Sequence, residues 1–247
     1  MDMMSKLSKR FPCPLCGKDN GDFRKANAVI SPWLRELARI QRRSSKLYIC
    51  KSCEGAFFNY RYTDEEMDAI YSDYRGPYYT KLRSSWEPWY TESYNAAHNE
   101  GEFVQKRKEI LKDFLLEAIV DDLRSIVDVG GDLGQYIPLI DGDTKRYLLD
   151  LSNRKLVSGV SRISSLDELE KIDLIIYAHV LEHVPHPLET LQSFLIKARY
   201  VYVEVPFGVP SISWQRRSIS VLLLNLLLSF SQKLWGGIFQ PERRQER

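Results

Sequence analysis

Two cysteine pairs of identical spacing, Cys13-Pro-Leu-Cys16 and Cys50-Lys-Ser-Cys53, hold all four cysteines of a 247-residue chain. A Cys-x-x-Cys turn presents two thiolates to one side, and two such turns complete a tetrahedron around Zn²⁺. Gly17, directly after Cys16, fits the turn of a zinc knuckle, and Gly55 lies near the second pair. A redox dithiol or an iron site uses the same ligands. Two matched pairs favour structural zinc in a reducing compartment over a secreted disulfide frame.

A second stretch with chemical content runs Ser-Ile-Val-Asp-Val-Gly-Gly-Asp-Leu-Gly from Ser125 to Gly134. An apolar run ending in an acid and a glycine-rich turn is how a buried parallel strand feeds a nucleotide-binding loop and the helix behind it. Asp128 closes the strand, Gly130 and Gly131 let the backbone approach a ligand, and Gly134 lets the next helix pack close. A dinucleotide fingerprint needs glycine at 130, 132 and 135, where this chain has Gly130, Asp132 and Gln135. Asp132 also stands where a pyrophosphate needs bare amides. S-adenosylmethionine (SAM) carries no phosphate, and its cationic ammonium and sulfonium tolerate Asp128 and Asp132. The plain alternative is a glycine-rich turn in some other α/β protein.

Further acids and imidazoles fall at the ends of predicted strands. Arg146 to Asp150 reads as a second strand whose terminal Asp150 is placed to accept from two ribose hydroxyls; an acid there is also a common helix N-cap. Asp167 follows a short third strand, 161–166, where adenine docks in such folds. The fourth strand, Asp173 to Ala178, runs into His179-Val-Leu-Glu-His183-Val-Pro-His-Pro. His179 and His183 are candidate general bases, because imidazole titrates near neutral pH. Structural histidines bonded to backbone, or a metal site with Glu182, are the competing readings.

The elements that must position these groups follow from pattern. Ser31 and Pro32 open a basic helix over Trp33 to Arg43, with Arg35, Arg39, Arg42 and Arg43 either solvated or facing an anion. Thr63 caps a helix through Met67, Ile70 and Tyr71. Residues 71–94 are dense in aromatics, a connector packed on both sides or the wall of an acceptor site, with Arg75, Arg83 and Glu87 among the rings. Glu102 to Val120 is an amphipathic helix with Phe103, Ile110, Leu111, Phe114, Leu115, Ala118 and Ile119 on one face. A helix follows the glycine loop over Gly131 to Ile140, another spans Leu188 to Ala198, and a fifth strand runs from Tyr200 to Pro206. The run Ile219 to Phe230 is apolar and Leu-rich, suggesting a helix too short to span a bilayer. It can cover the sheet, lie on a membrane beside Arg216, Arg217 and Lys233, or mediate self-association. Gln240 to Arg247 reads as a disordered tail.

Strand, glycine loop, strand ending in acid, and Asp-Leu-Ile-Ile-Tyr-Ala-His-Val-Leu-Glu-His-Val-Pro-His-Pro together resemble the class I SAM-dependent methyltransferases over residues 103–206. The loop resembles their motif I, Asp/Glu-x-Gly-x-Gly-x-Gly, with Asp132 at the central glycine. The last segment is similar to the His-Val-Leu-Glu-His-Val/Leu-x-x-Pro motif of small-molecule methyltransferases, and a four-cysteine ribbon ahead of such a domain is familiar in sugar and surface-polysaccharide pathways. The resemblance implies a Rossmann-like α/β sheet, here apparently without its last two strands. It implies SAM held by Asp128, Gly130, Gly131, Gly134, Asp150, Asp167 and His179, with His183 or His179 as base and zinc on Cys13, Cys16, Cys50 and Cys53. The expected divisions are a zinc ribbon at 1–62, an aromatic connector at 63–101, the SAM-binding domain at 102–207, and an apolar helix with charged tail at 208–247.

Composition narrows the partners. The net charge is only +2, but residues 1–60 are basic and 61–206 acidic, which argues against a broad nucleic-acid surface on the core. The N-terminus lacks an apolar leader, so a cytoplasmic protein is expected. The implied acceptor is a small molecule or sugar. The alternatives are an RNA methyltransferase that grips RNA through the ribbon, and a truncated, non-catalytic relative.

Overall fold

The computed structural model describes residues 12–18, 23–53, 55–119, 122–205 and 237–239. Two sheets organise it. The first is antiparallel, in the order β1 (Phe23–Val29), β2 (Ser44–Cys50), β3 (Ala56–Phe58). The second is built from β4 (Ser125–Val129), β5 (Lys145–Leu149), β6 (Val160–Arg162), β7 (Ile172–Ala178), β8 (Ala198–Glu204) and β9 (Gly237–Phe239), in the order β6-β5-β4-β7-β8-β9. Its first five strands are parallel, and β9 runs antiparallel to β8. This is a Rossmann-like doubly wound sheet whose strand order reverses between β4 and β7.

Alternation along the strands divides the core into two layers. Ile126, Leu174, Ile176, Tyr200 and Tyr202 face α5 (Glu102–Ala118) through Leu111 and Leu115. Val127, Ile175, Tyr177, Val201 and Val203 face α6 (Pro187–Lys197) through Leu191 and Phe194. Asp173 pins the start of β4: its Oδ2 accepts from the backbone N–H groups of Arg124 and Ser125, each at 3.0 Å.

In the chain, α1 (Pro32–Leu37) joins β1 to β2, and α2 (Asp64–Tyr71), α3 (Pro77–Trp86) and α4 (Glu92–Asn99) follow β3. Thr63 caps α2 in a reciprocal capping box with Glu66, the pattern its sequence predicts. Ile30, Ala38 and Ile40 share an apolar cluster with Ile70, and Trp33 shares another with Tyr79, Leu82 and Tyr90. Arg83 and Glu87 bond each other at 2.7 Å, Glu87 also accepts from Trp33 Nε1 at 2.9 Å, and the Arg83 guanidinium lies 4.1 Å from the Tyr90 ring centre. These two charges are absorbed by the packing of the connector.

Several elements depart from the sequence reading. The helix expected to reach Arg43 stops at Leu37, because Arg39 turns left-handed at φ 54° and buries Ile40. Arg43 is then needed beside Ile30, whose N–H donates to its carbonyl at 3.1 Å as the β1–β2 ladder begins. The four arginines therefore do not share one helix. No helix follows the glycine loop: residues 132–136 form turns, since Asp132 and Gly134 both have positive φ and Pro138 interrupts the segment. On α5, Phe103 and Ile110 are exposed, and Val104 is buried in their place. The sheet also does not end at its fifth strand. β9 pairs with the edge of β8, satisfying backbone groups that would otherwise be orphaned on a buried strand. It lies inside the 208–247 segment read as helix and tail; the apolar run 219–230 and the tail 240–247 lie outside the described residues.

Candidate functional site

The carboxyl ends of β4, β5 and β7 open into a cavity of about 1120 Å³. Gly130, Asp150, His179 and His183 line it from the large sheet, and Phe58, Tyr60, Tyr62, Met67 and Tyr71 from the smaller unit and the connector. This is where a doubly wound sheet receives ligands, at the crevice where strand order reverses.

The glycine loop fits its surroundings closely. Gly130 takes φ 77°, and a Cβ there would meet Val180 Cγ2 at 2.6 Å. A Cβ at Gly131 would meet Asp128 Oδ2 at 2.0 Å, so the acid one residue before the end of β4 lies directly beneath the loop. Asp128 is buried, and burial, aided by the Asp150 charge, pushes its carboxyl up to about 7. Gly134 lies behind the loop against Val160.

Asp150 stands just past β5. Its Oδ2 accepts from the Asp132 N–H at 2.9 Å and its Oδ1 from the Ser152 N–H at 2.7 Å. Each oxygen keeps a further lone pair for a ligand hydroxyl. Asp132, the residue at the motif's central glycine, takes φ 60° and is clasped by Arg154 Nη1 at 2.7 and 2.9 Å. Asp167 is placed elsewhere: it lies on an exposed 3₁₀ turn paired with Lys197, and Ile163 and Ser164 line the cavity on that side.

The two histidines have different settings. His179 turns left-handed at φ 57°, donates its backbone N–H to the Glu204 carbonyl at 2.7 Å, and places Nε2 2.9 Å from Glu204 Oε1. Glu204 is in turn gripped by Arg107 Nη1 and Nη2 at 3.1 and 2.9 Å, and by the Tyr202 hydroxyl at 2.9 Å. Burial works against the Glu204 charge, yet His179 and Arg107 hold its carboxyl down to about 2. A carboxylate on Nε2 fixes the proton there and leaves Nδ1 as an acceptor. His183 has its ring centre 5.8 Å from that of Tyr71. Its side chain keeps 42% exposure, all the same enclosed enough that burial lowers it to about 4. It is a neutral imidazole at pH 7.

Comparison with known proteins places the chain among distant likenesses only. No family profile and no curated protein matches it. Among solved structures it is similar to the N-terminal domain of EvdMO1 with S-adenosylhomocysteine (SAH) bound, at 17% identity and TM-score 0.34, covering 43% of this chain and 52% of that one. It is similar to the plantazolicin methyltransferase BpumL in complex with SAH, at 16% identity and TM-score 0.38, covering 53% of this chain and 55% of that one. It is also similar to the 16S rRNA methylase ArmA, at 12% identity and TM-score 0.30, covering 55% of this chain and 80% of that one. The chain thus spans about half the length of the first two. With TM-scores below 0.5, none of these bears on the chemistry of this chain.

Beside the first sheet, packed with Tyr48 and Phe57, the four cysteines converge. Their sulfur atoms lie within 4.8 Å of one another, Cys13 to Cys53 at 3.8 Å and Cys16 to Cys50 at 3.9 Å. Gly17 takes φ 66° and donates its N–H to the Cys13 carbonyl at 2.8 Å, the turn of a knuckle. Burial raises the Cys13 and Cys53 thiols, whereas at Cys50 backbone N–H groups of Cys53 and Ser52 outweigh burial and lower it. Four sulfurs this close suit one tetrahedral divalent ion, which favours their thiolates.

The sequence reading missed the residues that hold two of those around the cavity: Glu204 and Arg107 behind His179, and Arg154 beside Asp132. Glu204 had a signal, an acid at the carboxyl end of a predicted strand. The arginines had none, since their partners lie 97 and 22 residues away in sequence.

Proposed function

We propose that this chain is a SAM-dependent methyltransferase acting on a small molecule, with a structural zinc ion on its four cysteines. The observation that carries the reading is the glycine loop itself. It is surrounded by Asp128, Asp132 and Asp150 and followed by turns, so it offers a pyrophosphate neither bare positive charge nor a helix N-terminus. A phosphate-free nucleoside with a cationic centre suits that environment. Asp150 is placed to accept from its ribose hydroxyls, and Gly130 to let it approach the backbone.

When bound, SAM supplies a methyl group on a sulfonium, already activated for displacement. The protein has to align the acceptor and, for an O–H or N–H acceptor, take its proton. We assign the proton to His179 Nδ1, because Glu204 holds Nε2–H and its charge offsets the imidazolium that forms. His183, kept neutral, orients the acceptor. The aromatic walls and Arg61 in the cavity favour an acceptor with flat or ring-shaped faces, and sugars, including polysaccharide precursors, are the first class to screen. Nucleic acid is left out of this reading, because the arginines expected on one helix are divided among several segments. A cytoplasmic setting is part of the proposal. Among the described residues no helix is long and apolar enough to cross a membrane.

The test is calorimetric titration of the zinc-loaded chain with SAM, SAH and NAD⁺. Micromolar binding of the first two without the third is expected. NAD⁺ binding, or no binding of SAM and SAH by a folded sample, overturns the reading.

A further inference from the structure

At about 1120 Å³ the cavity exceeds the roughly 300–1,000 Å³ of a site for one drug-sized ligand, so it has room for a second molecule beside SAM. Its wall is not uniform. Asp150 and Glu182 enter it just past β5 and β7, and Tyr60, Arg61, Tyr62 and Met67 from the stretch that follows β3. Three arginines line it. Arg83 is bonded to Glu87 at 2.7 Å and to the Tyr79 hydroxyl at 3.1 Å. Arg162 donates to the carbonyls of Ser152 at 2.6 Å and Arg154 at 2.8 Å.

Arg61 differs from both. It makes no hydrogen bond and no ion pair among the described residues. Burial works against its charge, and the Cys13 thiol is the one group there whose charge reaches it. A guanidinium drawn out of water without a counter-charge costs free energy unless an anion meets it. Its planar fork matches a carboxylate or a phosphate with two parallel hydrogen bonds.

The surroundings say what carries the anion. Tyr60 and Tyr62, on either side of Arg61 in the chain, meet edge to face with ring centres 5.6 Å apart, and both line the cavity. Val29 and Phe58 line it too, yet remain 81% and 48% exposed, so its rim is apolar and open. Walls of this kind take the face of a ring. On the side of the large sheet, Glu182 Oε2 is buried with no partner among the described residues, and Asp150 adds a second carboxyl group. An anion entering the cavity is therefore drawn away from that side and towards Arg61.

We infer that Arg61 binds a carboxylate or phosphate on a ring-bearing acceptor, and so selects anionic acceptors over neutral ones. This rests on the methyltransferase reading above and narrows its acceptor class. It also gives the stretch joining the cysteine-bearing sheet to α2 a part in substrate choice.

The test uses three probes that share a ring: benzoate, phenyl phosphate and the neutral benzamide. Each is titrated into the zinc-loaded full chain with SAH present, and binding is read by saturation-transfer NMR. At least one anion should bind about tenfold or more tighter than benzamide, and the tighter of the two names the group. Arg61→Met should weaken that anion at least about tenfold while leaving benzamide within about twofold, with zinc content unchanged. If Arg61→Met does not fold, Arg61→Lys is measured: it should bind the anion less tightly than wild type and still prefer it to benzamide. Benzamide binding as well as both anions, binding of neither anion, or an equal change for all three probes in the variant overturns the inference. Loss of zinc from the variant with its anion preference intact also overturns it, since Arg61 would then serve only to offset the cysteine thiolates. SAH binding is measured separately: where SAH binds, these failures leave the methyltransferase reading standing, and where it does not, that reading and this inference fall together.

Discussion

Removing Arg107 puts the frame behind His179 under the severest strain. The Glu204 carboxylate accepts from Arg107 Nη1 and Nη2 at 3.1 and 2.9 Å, His179 Nε2 at 2.9 Å and the Tyr202 hydroxyl at 2.9 Å. Its side chain is only 15% exposed. Burial opposes its charge, but His179 and Arg107 together bring its carboxyl from 4.5 to about 2. A shift of that size corresponds to about 3 kcal/mol of stability at neutral pH. Because the folded value is depressed, that stability is complete above the ordinary carboxylate range and is lost as pH falls through it towards 2. Arg107→Met removes two of four donors and the one permanent positive charge, leaving Glu204 facing Asp128. We expect a loss of about 3–5 kcal/mol, the usual result of breaking one side of a buried pair. Arg107→Met with Glu204→Gln should recover about half of it, since no buried charge is then left alone. The assay is urea denaturation of zinc-loaded protein at neutral pH, followed by circular dichroism. A single variant within about 1 kcal/mol of wild type, or a double variant no more stable than the single, would refute the reasoning.

Three further outcomes are expected. Asp128 carries a carboxyl raised from 3.8 to about 7, so its effect on stability is most favourable below the lower value and is lost as pH rises through the upper one. Asp128→Asn should therefore gain stability relative to wild type at pH 8 and gain little at pH 5, as read by thermal melts. Asp150→Ala should weaken SAM at least roughly tenfold in calorimetry, through lost ribose contacts and a loop amide at Asp132 left without its acceptor; unchanged affinity would remove Asp150 from the site. Metal analysis should find one zinc per chain, and Cys50→Ser should abolish it and lower the melting temperature, since zinc binding and folding of such a unit are one equilibrium.

The parallel sheet was readable because its strands are short apolar runs that stop at a polar residue or glycine: Val129-Gly130, Leu149-Asp150 and Ala178-His179 all mark real strand ends. The capping of α2 was readable because Thr63 and Glu66 interact locally. What escaped depended on distant contacts. The basic helix is overextended in the sequence reading because Arg39 and Ile40 fit helical spacing, whereas the left-handed turn at Arg39 ends it and Arg43 pairs with Ile30 instead. The helix after the loop was expected from the fold's habit, although Pro138 argued against it. β9 is three residues long, too short for alternation to show. At the site, sequence pattern marked the cavity's Gly130, Asp150, His179 and His183. It missed Arg107 and Glu204, whose partnership exists only once α5 lies against β8.

Among the described residues, four that are not glycine adopt left-handed backbone, Arg39, Arg75, Asp132 and His179, and the last three surround the glycine loop and the cavity mouth. Each is held there at a cost of about 1 kcal/mol or more, which glycine would avoid. A lineage selected for thermal endurance alone would drift towards glycine at these positions, and Asp132→Gly would even complete the third glycine of the loop. Their present side chains are the ones that clasp Arg154, face Asp132 and bond Glu204. Glycine at these positions would relieve the backbone and take those contacts away, and that conflict sets a ceiling on how far the chain can be stabilised without loosening the rim of the cavity.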